Sequence, residues 1–122
     1  NHGRHFAVVD AAMNDLLRPA LYDAWQAVYP VADDHPASPR EYDIVGPVCE
    51  SGDFLAKGRN LSIRPGDLLA VDSAGAYGMT MSSNYNSRNR PPELLVDGSS
   101  VTEIRARESI EDQLRLETLI EK

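Results

Sequence analysis

The chain has 122 residues, 42% of them hydrophobic, which is enough for one domain with a buried core. Its net charge of −7 repels phosphate backbones and argues against a nucleic-acid partner. The longest apolar runs, at 6–9 and 68–71, are far short of the roughly 20 residues that span a bilayer, so no membrane partner is expected. A single cysteine excludes an internal disulfide and favours a reducing cytoplasm.

The first part of the chain predicts short strands joined by turns. Asn14 is predicted to cap a short helical turn through Leu17, which Pro19 would end. The string RPGD at 64–67 predicts a turn, because proline presets φ and glycine accepts a positive φ. Apolar, β-branched runs predict strands over 6–10, 24–31, 42–45 and 68–71.

The second part predicts a hairpin and then a helix. The arms of the hairpin are 94–96 and 101–107, with the turn at Asp97 and Gly98. Ser109 and Asp112 match a capping box that begins a helix, which is expected to pack on the domain through a broad apolar arc (Ile110, Leu114, Leu116, Leu119 and Ile120). The chain is therefore predicted to be mostly β, a barrel- or sandwich-like domain with short helices and a C-terminal helix.

Three clusters follow predicted strands, where rigid scaffolds present functional groups; they lie at 14–22, 46–53 and 73–78. In the second cluster Cys49 stands beside Glu50, with Asp53 close by. One interpretation is an inert buried cysteine next to solvated acids, and the other is a thiol that moves a proton. Neighbouring carboxylates favour a protonated thiol, so a proton donor is a better hypothesis than a nucleophile.

The other clusters leave binding and packing open. Arg18 and Tyr22 are four residues apart and would share a helix face, where they could hold a carboxylate; the alternative is a surface arginine on a capped turn. Tyr77 lies in the string GAYG, which lacks the lysine of a phosphate-binding loop, and it suits packing as well as binding. His2 and His5 have no further ligands at suitable spacing, so no metal site is predicted.

Four strings, in order and at similar spacing, resemble the diaminopimelate decarboxylase family. They are VDAAMNDLLRPALY at 9–22, GPVCESGD at 46–53, GAYG at 75–78 and SNYNSR at 83–88. The resemblance extends over nearly the whole chain, from Phe6 to the terminal helix. Ala12 stands where the family usually has glycine, and Asn89 where proline is common. Neither departure replaces a residue to which the family gives a role.

The resemblance implies a part of a pyridoxal-phosphate enzyme of the alanine racemase and ornithine decarboxylase fold group. Such enzymes join a (β/α)8 barrel to a C-terminal β domain and act as homodimers, with the active site between one barrel and the β domains of both subunits. Residues 1–122 resemble that β domain alone, as a fragment of a longer protein. The strings that carry the barrel's cofactor lysine and its phosphate loop are absent. The cofactor is therefore expected to be bound mainly by the missing barrel.

The resemblance also implies a role for each site residue. The family reaction removes the carboxylate at the D-configured end of meso-diaminopimelate and yields L-lysine and CO₂. Arg18 and Tyr22 match the residues that hold the distal carboxylate, and Glu50 matches the acid that takes the distal ammonium. Cys49 matches the donor that protonates the reacting carbon from the neighbouring subunit. Tyr77 matches a tyrosine that contacts the cofactor phosphate or the substrate.

Two alternatives to this reading remain. One is a sister decarboxylase such as carboxynorspermidine decarboxylase, against which the pairing of Arg18 with Glu50 argues. The other is a non-catalytic dimerisation module. Asp53 is expected near the dimer interface, where it shapes the Cys49 loop, and residues 84–88 are expected to be scaffolding of the interface or site. The fragment alone is expected to be inactive.

Overall fold

The computed structural model describes residues 3–32 and 38–120, so His2 lies outside the described residues. The chain divides into two units, Asn1–Ser82 and Ser83–Lys122. In chain order the described elements are β1 (His5–Val8), α1 (Arg18–Tyr22), β2 (Val28–Pro30), β3 (Arg40–Val45), β4 (Phe54–Leu61), β5 (Leu69–Val71), α2 (Gly78–Met81), a 3-10 turn (Tyr85–Ser87), β6 (Glu93–Asp97), β7 (Ser100–Arg105) and α3 (Ile110–Leu114).

The first unit contains a three-stranded sheet in the order β1-β3-β4 and a separate antiparallel pair of β2 with β5. Strands β1 and β3 are parallel, and β4 runs antiparallel to β3. Val8 is opposite Val45, and Val45 is opposite Phe54. The last residues of β1 and β3 and the first residue of β4 therefore lie at the same end of the strands. We call this end of the sheet the loop edge. The chain leaves or enters this edge through the two clusters at 14–22 and 46–53.

A buried aliphatic core holds the first unit together. Ile44 on β3 and Leu55 on β4 are almost fully buried, at 1% and 2% exposure. Leu16 joins this core from the turn before α1, and Val28 joins it from β2. Burial of each such side chain contributes about 1.5–3 kcal/mol. The core thus fixes the strand ends from which the loops of the site begin.

Helix α1 corrects one prediction about the helix boundary. It begins at Arg18, and Pro19 lies in its first turn as the buried residue of the helix. Proline is well suited to that position, because the N–H that it lacks has no partner within the helix. Asn14 is instead buried in a turn held by backbone bonds from Asp15 and Leu16 to Ala12. The prediction that Asn14 begins a helix and that Pro19 ends it is therefore wrong.

The predicted strands agree with the structure in part. Strands β1, β3 and β5 lie within or across the predicted ranges, but β2 is confined to Val28–Pro30, and Trp25 is exposed before it. The turn at 64–67 is confirmed, with Gly66 at a φ of 95°. The longest strand, β4, was not predicted. It buries Leu55 and Ala56 in succession, so the period-two alternation that identifies a strand is lost.

In the second unit, β6 and β7 form the predicted hairpin, with a corrected turn. Asp97 pairs with Ser100, so the turn residues are Gly98 and Ser99 rather than Asp97 and Gly98. Gly98 has a φ of 57°, in the left-handed region that glycine adopts without steric cost. After the hairpin, Glu108 accepts the backbone N–H of Arg90 at 2.9 Å.

Helix α3 confirms the predicted start and corrects the predicted length. The hydroxyl of Ser109 accepts the N–H of Asp112, and the Asp112 carboxylate accepts the N–H of Ser109. The helix ends at Leu114, and Leu116 and Leu119 are 82% and 92% exposed. Without apolar burial, a helix this short gains little from extension. The predicted packing of the tail on the domain is therefore wrong.

The mostly-β prediction with short helices is confirmed. In the described part of the chain the strands form three small sheets and no closed barrel. No helix between residues 3–32 or 38–120 is long and apolar enough to cross a bilayer.

Candidate active site

The guanidinium of Arg18 lies against two tyrosine rings. Its Cζ is 6.0 Å from the centre of the Tyr22 ring, one helical turn later, and 5.1 Å from the centre of the Tyr77 ring. Both distances suit a cation–π contact. Both tyrosines are more than 60% exposed, so the group is open to solvent. The structure thus brings three of the five predicted site residues together, with a cation and two hydroxyl-bearing rings at the surface.

Tyr77 has an unusual backbone. Its φ of 65° and ψ of −4° put it in the left-handed region, directly before α2 begins at Gly78. A bulky residue in this region costs about 1–3 kcal/mol and persists where the surroundings hold it. Such strained residues cluster at ligand sites. The left-handed backbone and the contact with Arg18 together restrict the orientation of the Tyr77 ring.

Residues 46–53, which we call the Cys49 loop, hold the other two predicted site residues, Cys49 and Glu50. In the described part of the chain, the cation–π contacts of Arg18 with the two tyrosines do not extend to this loop. The N–H of Gly46 donates to the backbone oxygen of Asp53 at 3.1 Å, and the N–H of Asp53 donates to that of Glu50 at 3.1 Å. Glu50 Oε1 accepts the N–H of Ser51 at 3.0 Å. Cys49 is an exposed free cysteine, so the alternative of a buried inert cysteine is wrong. The loop presents a thiol and a carboxylate side by side to solvent.

Asp53 is the buried member of this loop, and its carboxylate reaches a distant segment. Only 3% of the residue is exposed. Its Oδ1 accepts the N–H of Met13 at 2.6 Å, and its Oδ2 accepts the N–H of Val48 at 2.9 Å. Sequence analysis placed Asp53 in the loop but missed the bond to Met13, since nothing in the local spacing signals it. Its expected place near a dimer interface stays a prediction.

A cationic group lies beside α1 without belonging to the predicted site. Arg59 on β4 stacks on the Trp25 ring at 4.5 Å and donates to the backbone oxygen of Gln26 at 3.0 Å. Burial lowers the pKa of Arg59. Lys57, the one lysine among the described residues, lies 3.4 Å from Asp23 and is mostly exposed. Lys57 is therefore engaged in a surface ion pair, which does not suit a lysine that holds an aldehyde cofactor.

The remaining residues fit only part of a cofactor site. Tyr77 offers an exposed hydroxyl-bearing ring beside the Arg18 guanidinium, which suits contact with an anionic group. Between residues 3–32 and 38–120 there is no group of three metal-ligating side chains. The described residues thus include a pair of side chains that can contact an anionic group, but not a lysine suited to hold an aldehyde cofactor.

Comparison with known families identifies the fold. The model of the pyridoxal-dependent decarboxylase C-terminal sheet domain matches residues 1–75. The chain belongs to this family. The match includes Arg18, Tyr22, Cys49 and Glu50, whereas Tyr77 lies just beyond it.

Individual proteins show which members of the family this chain is similar to. Diaminopimelate decarboxylase of Pseudomonas aeruginosa is 58% identical over 121 residues, which cover 98% of this chain and 29% of that protein. A crystal structure from Aquifex aeolicus superposes with a TM-score of 0.91 at 45% identity, covering 97% of this chain and 30% of its own. Diaminopimelate decarboxylase of Helicobacter pylori, complexed with L-lysine, has a TM-score of 0.83 at 45% identity, over 92% of this chain and 28% of its own. The predicted resemblance is confirmed, and the chain spans less than a third of these relatives.

Proposed function

We propose that this chain is the C-terminal β domain of a diaminopimelate decarboxylase, a carboxy-lyase that converts meso-diaminopimelate to L-lysine and CO₂. The observation that carries the proposal is the Arg18 guanidinium beside Tyr22 and Tyr77. It belongs to a chain 58% identical to a relative of that name. A cationic fork bordered by hydroxyl-bearing rings suits a carboxylate at the far end of an amino diacid.

Recognition of the distal end requires two opposite charges. That end of meso-diaminopimelate carries a carboxylate and an ammonium. Arg18 binds the carboxylate through two parallel N–H donors, with the Tyr22 hydroxyl as a further donor. Glu50 binds the ammonium from the Cys49 loop. A substrate without the distal carboxylate leaves Arg18 unpaired, at a cost of about 2 kcal/mol or more.

Cys49 is the proposed proton donor. When bound, pyridoxal phosphate supplies the electron sink that stabilises the carbanion left after CO₂ departs. The Cys49 thiol transfers its proton to that carbon, and the thiolate that remains regains a proton from solvent. Cys49 is exposed on this chain, so its thiol is accessible to a substrate bound by a partner.

The rest of the site comes from outside this chain. The proposed enzyme is a homodimer in which a barrel domain binds most of the cofactor, and Tyr77 contacts the cofactor phosphate or the substrate. Cys49 then serves the active site of the neighbouring subunit. A free thiol as proton donor also requires a reducing compartment, which supports a cytoplasmic location.

The test of this proposal uses the full-length protein that carries this chain, loaded with pyridoxal phosphate. We expect CO₂ release and L-lysine from meso-diaminopimelate, with far slower release from carboxynorspermidine. Residues 1–122 alone should release none from either compound. Faster turnover of carboxynorspermidine would favour the sister decarboxylase, and no turnover of either compound would favour a non-catalytic dimerisation module.

A further inference from the structure

We propose that Asp53 is a positioning residue that holds the turn before α1 in fixed register with the Cys49 loop. This inference rests on the proposed function, because the clamp joins the proton-donor loop, which serves the neighbouring subunit's site, to the turn before the substrate-binding helix. We call the Asp53 carboxylate, with the N–H groups of Met13 and Val48 that it accepts, the Asp53 clamp. It lies at the loop edge.

The sheet topology explains why one side chain reaches both segments. Strands β1 and β3 are parallel, so the residues that follow them leave the sheet on the same side. Asp53 directly precedes β4, which begins opposite the end of β3. Its side chain therefore lies between the turn that leads to Arg18 and the loop that carries Cys49. Each carboxylate oxygen accepts one backbone N–H, one from each segment.

The absence of a side chain at Gly46 leaves space for the Asp53 carboxylate. A Cβ on Gly46 would lie 2.7 Å from Asp53 Oδ1 and closer still to Oδ2. It would also lie 2.8 Å from the backbone oxygen of Ala11, so rotation of the Asp53 side chain alone would not relieve the overlap. The glycine and the aspartate thus form one arrangement, and a change at either position disturbs the same clamp.

The clamp matters for catalysis because its two segments carry different functions. The turn continues into α1, which places the substrate-binding Arg18, whereas the loop places the proton donor Cys49. A displacement of about 1 Å between reacting groups can lower a rate by about 100-fold. Loss of the clamp should therefore lower kcat and raise KM together, beyond any effect on folding.

The first experiment compares Asp53→Asn with Gly46→Ala in the full-length holoenzyme. An asparagine offers one carbonyl oxygen, and its NH₂ group would face one of the two N–H donors. Asp43→Asn is the matched control, since Asp43 is similarly buried and accepts the N–H of Gly58 at 2.9 Å, away from the Cys49 loop. Both clamp variants should lower kcat for meso-diaminopimelate by about 100-fold. The control should lower the melting temperature and leave kcat and KM near the wild-type values.

A double-mutant cycle separates positioning from a purely structural role. In a Cys49→Ala background, Asp53→Asn should lower kcat little further, because the group that it positions is gone. Asp43→Asn should behave alike in both backgrounds. If Asp53→Asn changes only the melting temperature, or if its effect on kcat is undiminished without Cys49, the positioning role is overturned.

Hydrogen exchange of the protein without cofactor gives a readout that does not depend on activity. In the wild type, the amides of Met13 and Val48 should be protected, and both should lose protection together in Gly46→Ala. Unprotected amides in the wild type would overturn the clamp even if no variant folds. A second outcome is that the amides are protected but the wild type does not decarboxylate meso-diaminopimelate. In that case the proposed function is wrong and the catalytic role of Asp53 is overturned with it. The hydrogen bonds of the clamp would still be confirmed.

Discussion

The guanidinium of Arg18 lies 5.1 Å from the ring centre of Tyr77, a residue far away in the sequence and in a left-handed backbone conformation. The contact joins the first turn of α1 to the segment before α2. It places a cation next to a ring whose backbone is held under strain. The arrangement suits a group that must meet an anion in a fixed orientation.

Arg18→Ala in the full-length enzyme should raise KM for meso-diaminopimelate much more than it lowers kcat. We expect the lost contact with the distal carboxylate to cost about 2 kcal/mol of binding free energy, or roughly 30-fold in KM. This cost is at the lower end of the range for charge pairs because Arg18 is partly exposed. Arg18→Lys should recover only part of this, since lysine keeps the charge but not the planar fork. Steady-state kinetics provide the measurement, with Arg64→Ala on the 64–67 turn as control. Equal KM values for Arg18→Ala and the wild type would contradict the binding role.

Cys49→Ala should show the opposite division between the two kinetic constants. Loss of a positioned proton donor lowers kcat by about 100-fold or more, whereas KM should change little. Ser62→Ala, in the segment after β4, is the control and should leave both constants at the wild-type level. Unchanged turnover by Cys49→Ala would show that the proton comes from another group.

Two substitutions at Tyr77 separate its ring from its hydroxyl. Tyr77→Phe keeps the ring beside Arg18, so KM for meso-diaminopimelate should stay close to the wild-type value. If the hydroxyl contacts the cofactor phosphate, the same variant should bind pyridoxal phosphate more weakly, as measured by cofactor titration of the apoenzyme. Tyr77→Ala should weaken both cofactor and substrate binding. Cofactor affinity that is equal in Tyr77→Phe and the wild type would contradict a contact between the Tyr77 hydroxyl and the cofactor phosphate.

Glu108 makes the second unit sensitive to acid. The N–H of Arg90 that it accepts is the main cause that holds the pKa of Glu108 below its ordinary value of 4.5, and the amide of Asn84 adds to the effect. Because the folded pKa is lowered, this stabilisation is present above pH 4.5 and is lost as the pH falls through the folded value. Glu108→Gln should therefore expose the Arg90 amide to hydrogen exchange at neutral pH, and its difference from the wild type should shrink in acid.

Glu103→Gln, on the exposed strand β7, is the control for this pH dependence. It should leave the exchange of the Arg90 amide unchanged throughout the range. A difference between Glu108→Gln and the wild type that grows as the pH falls would contradict the stated direction of the pKa shift.

Local sequence patterns predicted the parts of the fold that depend on neighbours in the chain. The capping box of Ser109 with Asp112 and the turn at 64–67 are such cases. Strand β4 was not predicted because its register shifts against β3. In addition, Gly58, at a φ of 61°, interrupts the alternation of buried and exposed side chains along the strand. The exposure of the residues after Leu114 was not predicted, because a helical spacing of leucines does not show whether another surface covers them.

In the candidate site, too, contacts between residues close in sequence were predictable and contacts between distant segments were not. The spacing of Arg18 and Tyr22 was enough to bring them together, even though the helix begins later than predicted. The approach of Tyr77 to Arg18 and the bond from Met13 to Asp53 join segments distant in sequence. Such contacts depend on the parallel pairing of β1 and β3 and on the core, so no local pattern encodes them.

Recognition of the distal carboxylate by Arg18 is tested most directly by substrate selectivity. The quantity to measure is the ratio of kcat/KM for meso-diaminopimelate to that for carboxynorspermidine, in the full-length wild type and in Arg18→Ala. We expect a large ratio in the wild type that falls about 30-fold in the variant, through loss of activity on meso-diaminopimelate. A ratio that Arg18→Ala leaves unchanged would contradict the assignment of this arginine to the far end of the substrate.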